Sequence, residues 1–215
     1  MSLIPALLFV LGMALGTFNN WVIKQLSDEV KVTRPFKLVV YLLTVSSIFL
    51  SVAYSDRVVA DVFFASFLII VGGVDQLTKS IVVFTIYVGG FISAALALYF
   101  GMPLTEVLLG GVVGFVLYLI IYLVAKQIYK KEAFGFGDVM FMGAIGVFVG
   151  PWFTLLASML TFYVALAFIV MQKIIGKLLS RQSEIAFAPY MAVAAWLTSL
   201  FGAQIVELYL TVFMV

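Results

Sequence analysis

Residues 105–125, TEVLLGGVVGFVLYLIIYLVA, carry a single charge, Glu106 at the leading edge. An uncharged stretch of about twenty residues, rising about 1.5 Å per residue as a helix, matches the ~30 Å hydrocarbon core of a bilayer. Lys126, Lys130 and Lys131 follow it. Next comes Gly135-Phe136-Gly137-Asp138, an acid behind two spaced glycines at the mouth of a further apolar segment.

The same composition recurs outward from this run. Of 215 residues, 65% are hydrophobic and 10% charged, and the mean hydropathy is +1.25, so most of the chain belongs in lipid. Apolar segments at 3–23, 37–55, 58–75, 80–101, 105–125, 138–150, 151–172 and 186–206 predict an all-α polytopic bundle of about eight transmembrane helices. They leave room for one integral-membrane domain, 1–215, and no separate soluble one. Two segments read as weak spans: 58–75, which contains Asp61 and ends on Asp75, and 138–150, which is short. Interrupted or short segments line cavities more readily than they face lipid, because freed backbone groups need partners. No basic residue precedes the first apolar stretch, which predicts a retained first helix rather than a cleaved signal peptide.

The basic residues are one-sided. Lys24, Lys31, Arg34 and Lys37 follow the first span, and Lys79 follows the third. Lys126, Lys130 and Lys131 follow the fifth, and Lys173, Lys177 and Arg181 the seventh; Arg57 alone lies on the other side. Positive loops stay cytoplasmic, so both termini are expected outside, with Asp75 and Asp138 sharing the cytoplasmic face.

The inventory of reactive side chains narrows the chemistry. Cysteine and histidine are both absent. That excludes disulfides, cysteine-ligated metals, serine–histidine triads and imidazole acid–base catalysis. No metal, cofactor or nucleic-acid partner is expected. Among the ten acids, Asp28, Glu29, Asp56, Glu106, Glu132 and Glu184 fall in predicted loops or at helix ends, where a solvated carboxylate is the ordinary reading. Asp61, near a membrane edge, suits a helix N-terminus, and Glu207 lies close enough to the outer face to reach water. Asp75 and Asp138 remain. Each could simply be a helix-end acid paired with a lysine, Lys79 or Lys131. An acid bordering the bilayer is costly, however, and such residues face protein interior or a wet cavity and serve function.

Two close carboxylates do not both ionise easily, so one holds a proton while the other is charged. The charged one takes a proton from water, which attacks a peptide carbonyl, while the protonated one supports the carbonyl oxygen. That is aspartic-protease chemistry. The alternative is a small transporter or channel using Asp75 and Asp138 as proton or cation sites. Asn19 and Asn20, adjacent amides in an apolar helix, read as interhelical glue. Gly89-Gly90 and Gly110-Gly111 with Gly114 read as sites of close helix approach.

Several landmarks, in order, resemble the type IV prepilin peptidases, membrane aspartic proteases of the GxGD group. Gly16-Thr17-Phe18-Asn19-Asn20 resembles the family's first-helix signature, and Arg34-Pro35-Phe36 the entry to its second helix. Asp75 with Ile81 resembles the first catalytic motif, Gly135-Phe136-Gly137-Asp138-Val139 the second, and Phe187-Ala188-Pro189-Tyr190 the late motif. The resemblance implies catalytic Asp75 and Asp138, with Gly135 and Gly137 supporting them. Asn19, Asn20 and Pro189 would have substrate-channel or structural roles. It also implies cleavage of a short basic leader from type IV pilin or pseudopilin precursors at the cytoplasmic face of a bacterial inner membrane, where Glu132 could receive the leader's charge. The chain departs from the pattern at Val82, where proline is usual, at Met140, where a lysine is usual, and at Ala186 and Ala188, where proline and glycine are usual. Many members carry a four-cysteine zinc-binding insert between the first two spans and N-methylate the new N-terminus. Here Gln25 to Pro35 is short and has no cysteine, so methyl transfer is not expected.

Overall fold

A backbone in lipid must satisfy its own hydrogen bonds, and an apolar run without an internal proline does so as a helix. All five prolines of this chain, Pro5, Pro35, Pro103, Pro151 and Pro189, sit in the first two positions of a helix or immediately before one. There the missing N–H leaves no gap in the ladder. The computed structural model describes residues 3–27, 30–129, 135–175 and 186–213, which form eight α-helices and no strand. Asp28, Glu29, Lys130, Lys131, Glu132, Lys177, Arg181 and Glu184 lie outside the described residues.

The helices are α1 (Ile4–Leu26), α2 (Arg34–Tyr54), α3 (Val58–Thr78), α4 (Val83–Tyr99), α5 (Leu104–Tyr129), α6 (Phe136–Val149), α7 (Pro151–Ile174) and α8 (Ala188–Phe213). Six are long and apolar enough to cross a membrane, while α4 and α6 are shorter. The expectation of a weak span at 58–75 is corrected here. α3 is a full 21-residue helix, because Asp61 is bonded by neighbours and does not interrupt it. The shorter companion of α6 is α4, which begins only at Val83.

α3 and α6 are the two inner helices. α3 is flanked by α1, α2, α4 and α8, and α6 by α4, α5, α7 and α8. They face each other through aromatic rings: Phe64 stacks on Phe148 with centroids 4.0 Å apart, and Phe67 meets Phe141 edge-on at 5.7 Å. Such pairs contribute about 1 kcal/mol each beyond their buried area. In lipid, where apolar surface has no reason to leave solvent, packing of this kind holds helices together.

Glycines set the closest approaches. A Cβ on Gly110 would stand 2.1 Å from the carbonyl oxygen of Gly146, and one on Gly114 2.4 Å from that of Met142, so the α5 and α6 backbones touch. Gly89 receives the Phe67 ring and Gly90 receives Ala144, which lets α4 lie against both α3 and α6. Gly150 alone separates α6 from α7 and takes φ +79°, a conformation that disfavours a side chain. The glycine pairs are therefore helix-packing devices, as their spacing suggests.

Candidate active site

Asp75 lies in the last turn of α3 and Asp138 in the first turn of α6. On α3 the buried residues Phe64, Phe67, Leu68, Val71 and Asp75 recur at helical spacing. On α6, Asp138, Phe141, Ile145 and Phe148 do the same. The ring contacts show that these two faces meet, so both carboxylates end up at one end of the interface. Each is nearly fully enclosed, at 5% and 7% exposure, and each lies within the electrostatic reach of the other.

The chain after α3 makes this convergence possible. Lys79 ends the helix at φ 56°, a left-handed conformation that few non-glycine residues adopt, and its N–H closes on the Asp75 carbonyl at 2.8 Å. The segment then turns onto the first turn of α6. There a Cβ on Gly137 would stand 3.0 Å from Cβ of Ile81. Gly135 serves a separate purpose. It is the N-cap of α6, and the point its Cβ would occupy is 3.2 Å from Oδ2 of Asp138. The Asp138 carboxylate thus curls back toward the Gly135 N–H, the reciprocal arrangement of a capping box. The two glycines make room for different neighbours, the carboxylate itself and the segment that follows its partner.

Asp75 is held by the late motif. The Ala188 N–H donates to Oδ2 of Asp75 at 3.1 Å, and the N–H of Phe187 is the next backbone donor within reach. Ala188 opens α8, so Asp75 satisfies one of the orphan donors at that helix's N-terminus, where a carboxylate is favoured. Alanine retains the N–H that glycine would supply. Pro189 packs on α3, its Cα 3.2 Å from where a Cβ of Gly72 would lie. Lys79 lies close enough for its charge to act on Asp75, but no ion pair within 4 Å joins the two among the described residues. Lys79 Nζ goes to the Gln76 carbonyl at 3.3 Å, and the ion pair among the described residues is Arg57–Asp61. Lys131, the proposed partner of Asp138, and Glu132, the proposed receiver of leader charge, lie outside the described residues.

The other sequence-predicted residues separate from this centre. Asn19 Nδ2 donates to Thr44 Oγ1 on α2 at 3.1 Å and approaches Ser66 Oγ on α3 at 3.5 Å. Asn20 Nδ2 donates to Gly16 O at 3.0 Å and to Lys37 O at 3.4 Å. Both amides stitch α1 to its neighbours. Asp61 is more than a helix-end acid. It is buried, accepts from Ser55 at 2.5 Å and Ser199 at 3.0 Å, and has Arg57 Nε at 3.6 Å, tying α2, α3 and α8 together at the end opposite Asp75. The Ala188 N–H had no sequence signal beyond the late motif around it, since a backbone donor leaves no mark in side-chain chemistry.

Fold and site together define a multi-pass helical membrane protein with a paired-carboxylate centre. Residues 62–171 match the type IV leader peptidase family, and the chain belongs to that family. The matched region holds both aspartates and both spaced glycines. Curated relatives include the prepilin leader peptidase/N-methyltransferases of Aeromonas hydrophila, 29% identical over 59% of this chain and 40% of the relative, and of Stutzerimonas stutzeri, 32% identical over 50% and 37%. That of Pseudomonas putida is 30% identical over 50% and 38%. The matches thus span about two fifths of the length of these relatives. No solved structure matches the chain.

Proposed function

We propose that the chain is an intramembrane aspartic endopeptidase that removes the leader from type IV prepilin-like precursors, acting as one membrane domain with Asp75 and Asp138 as its catalytic pair. The observation that carries this reading is the meeting of two enclosed carboxylates at one end of the α3–α6 interface, within the family-matched region. One carboxylate takes a proton from water as the oxygen attacks the scissile carbonyl carbon. The other, protonated, donates to the carbonyl oxygen as negative charge develops there. When the C–N bond breaks, the proton held by the first acid passes to the leaving amine. Gly135 and Gly137 keep Asp138 in place, and the Ala188 N–H orients Asp75.

The one-sided basic residues support a site at the cytoplasmic face of a bacterial inner membrane, with the substrate's hydrophobic helix alongside in the bilayer. The relatives' names also include N-methyl transfer. A four-cysteine zinc centre has no ligands in a chain without cysteine, and the processed N-terminus is expected to stay unmethylated. Co-expression with candidate prepilins, followed by N-terminal sequencing and mass measurement of the product, tests both points. Cleavage after the basic leader without a mass gain of one methyl group is the expected result. An intact leader would count against the peptidase reading, and a methylated product would show that the insert is dispensable.

A further inference from the structure

The surroundings of the aspartate pair are not equally closed. Toward α4 the way is packed, since Gly89 takes the Phe67 ring and Gly90 takes Ala144. Between α3 and α6 the Phe67 and Phe141 rings meet edge-on, and α5 touches α6 backbone to backbone. Elsewhere around α3, the helices α2 and α8 each pack along it but scarcely touch one another. They leave a groove of about 210 Å³ with α3 as its floor. Several times the ~30 Å³ share of one water, this space is no packing flaw, because protein interiors hold few voids larger than a water.

The groove begins at the pair and runs into the lipid zone. At one end its floor is Gly72, one helical turn from Asp75 on the same face of α3, and Gln76, the next residue in the chain. Pro189 lines that end from α8, beside the Ala188 N–H that holds Asp75. From Gln76 the floor reaches back to Ala65. At 1.5 Å per residue that is about 16 Å of helix, roughly half of the hydrocarbon core. The lining is almost wholly apolar, and Leu43 on the α2 wall and Val193 on the α8 wall are exposed. A peptide bond at Asp75 belongs to a chain that must continue. A hydrophobic helix continuing into the bilayer meets an apolar trough that starts within a turn of the carboxylate, with no side chain on the floor at Gly72 and Gly73 to keep it away.

We propose that the groove between α2 and α8 holds the hydrophobic helix of the prepilin-like substrate, laid along α3 with its N-terminal end at Asp75. This assignment rests on the peptidase reading, and the experiment keeps the two apart. The full chain in detergent is assayed on a prepilin, beside Leu43→Trp and Val193→Trp, which crowd the groove from either wall. Each should raise KM about tenfold and leave kcat unchanged, the pattern of lost binding away from the reacting bond. Because the chain has no cysteine, the contact can also be read directly. Leu43→Cys and Val193→Cys, each combined with Asp138→Asn so that the substrate stays uncut, are tested for disulfide crosslinking to single cysteines placed along the first turns of the prepilin helix. Ile120→Cys, exposed on α5, is the control. Both groove positions should crosslink and the control should not. The crosslinks decide the matter where a tryptophan variant also lowers the thermal midpoint. An unchanged KM in both tryptophan variants, or crosslinks no stronger than those of the control, overturns the assignment and leaves the groove to lipid. A wild type that does not cleave overturns the peptidase reading and this assignment with it.

Discussion

A methyl at position 135 would meet the end of a flexible carboxylate, whereas one at 137 would meet the branched Cβ of Ile81, which is fixed to its backbone. Gly135→Ala should therefore fold normally but push Asp138 off its donor, cutting cleavage about tenfold or more. Gly137→Ala should lose activity and also about 1–2 kcal/mol of stability, since overpacking a fixed neighbour strains the core. Cleavage rates and thermal midpoints in detergent distinguish the two. Asp61→Asn should keep substantial activity while losing about 1–2 kcal/mol, because Ser55, Ser199 and Arg57 all converge on that carboxylate far from Asp75. An inactive but fully stable Asp61→Asn would make Asp61 part of the site. Asp75 and Asp138 were legible in the sequence because acids are rare and expensive in apolar segments. The burial of Asp61 was not, since it depends on which helix faces bring Ser55 and Ser199 to it.

Helices were legible where long apolar runs are punctuated by proline, and less so where packing decides. The spacing of Gly110, Gly111 and Gly114 marked a contact surface but could not name α6 as its partner. Only the fold shows that the Gly110 and Gly146 backbones touch. Gly110→Ala and Gly146→Ala should each destabilise the chain by about 2 kcal/mol or more, because the obstacle is a partner carbonyl that cannot rotate away. The double substitution should be non-additive, the two helices having already separated. Thermal unfolding of the four proteins checks this. At the start of α4, Val82 has φ −75°, close to the value that proline fixes. Val82→Pro, the residue more usual in the family, should be tolerated and gain about 0.5 kcal/mol through the unfolded chain. A large loss there would mean that the Val82 N–H has a partner in the native state.

Across the whole molecule, the ends of α3 and α6 that carry Asp75 and Asp138 should lie at one membrane face, with Arg57 and Asp61 at the other. The chain has no cysteine, so single cysteines at the exposed Ser80 and Asp56 can be labelled with an impermeant thiol reagent. Ser80→Cys should react only from the cytoplasmic side and Asp56→Cys only from outside; the reverse pattern would invert the topology argued from the Lys and Arg positions. Prepilin cleavage with Asp75→Asn, Asp138→Asn and the double variant decides whether the two carboxylates act as one catalytic unit. Asparagine keeps the size and much of the hydrogen bonding but can neither take the water proton nor share one. Each single variant should be inserted, folded and inactive, and the double variant should look like either, as residues acting together are non-additive. Normal prepilin processing by both single variants would rule out a catalytic pair and leave Asp75 and Asp138 as ion sites.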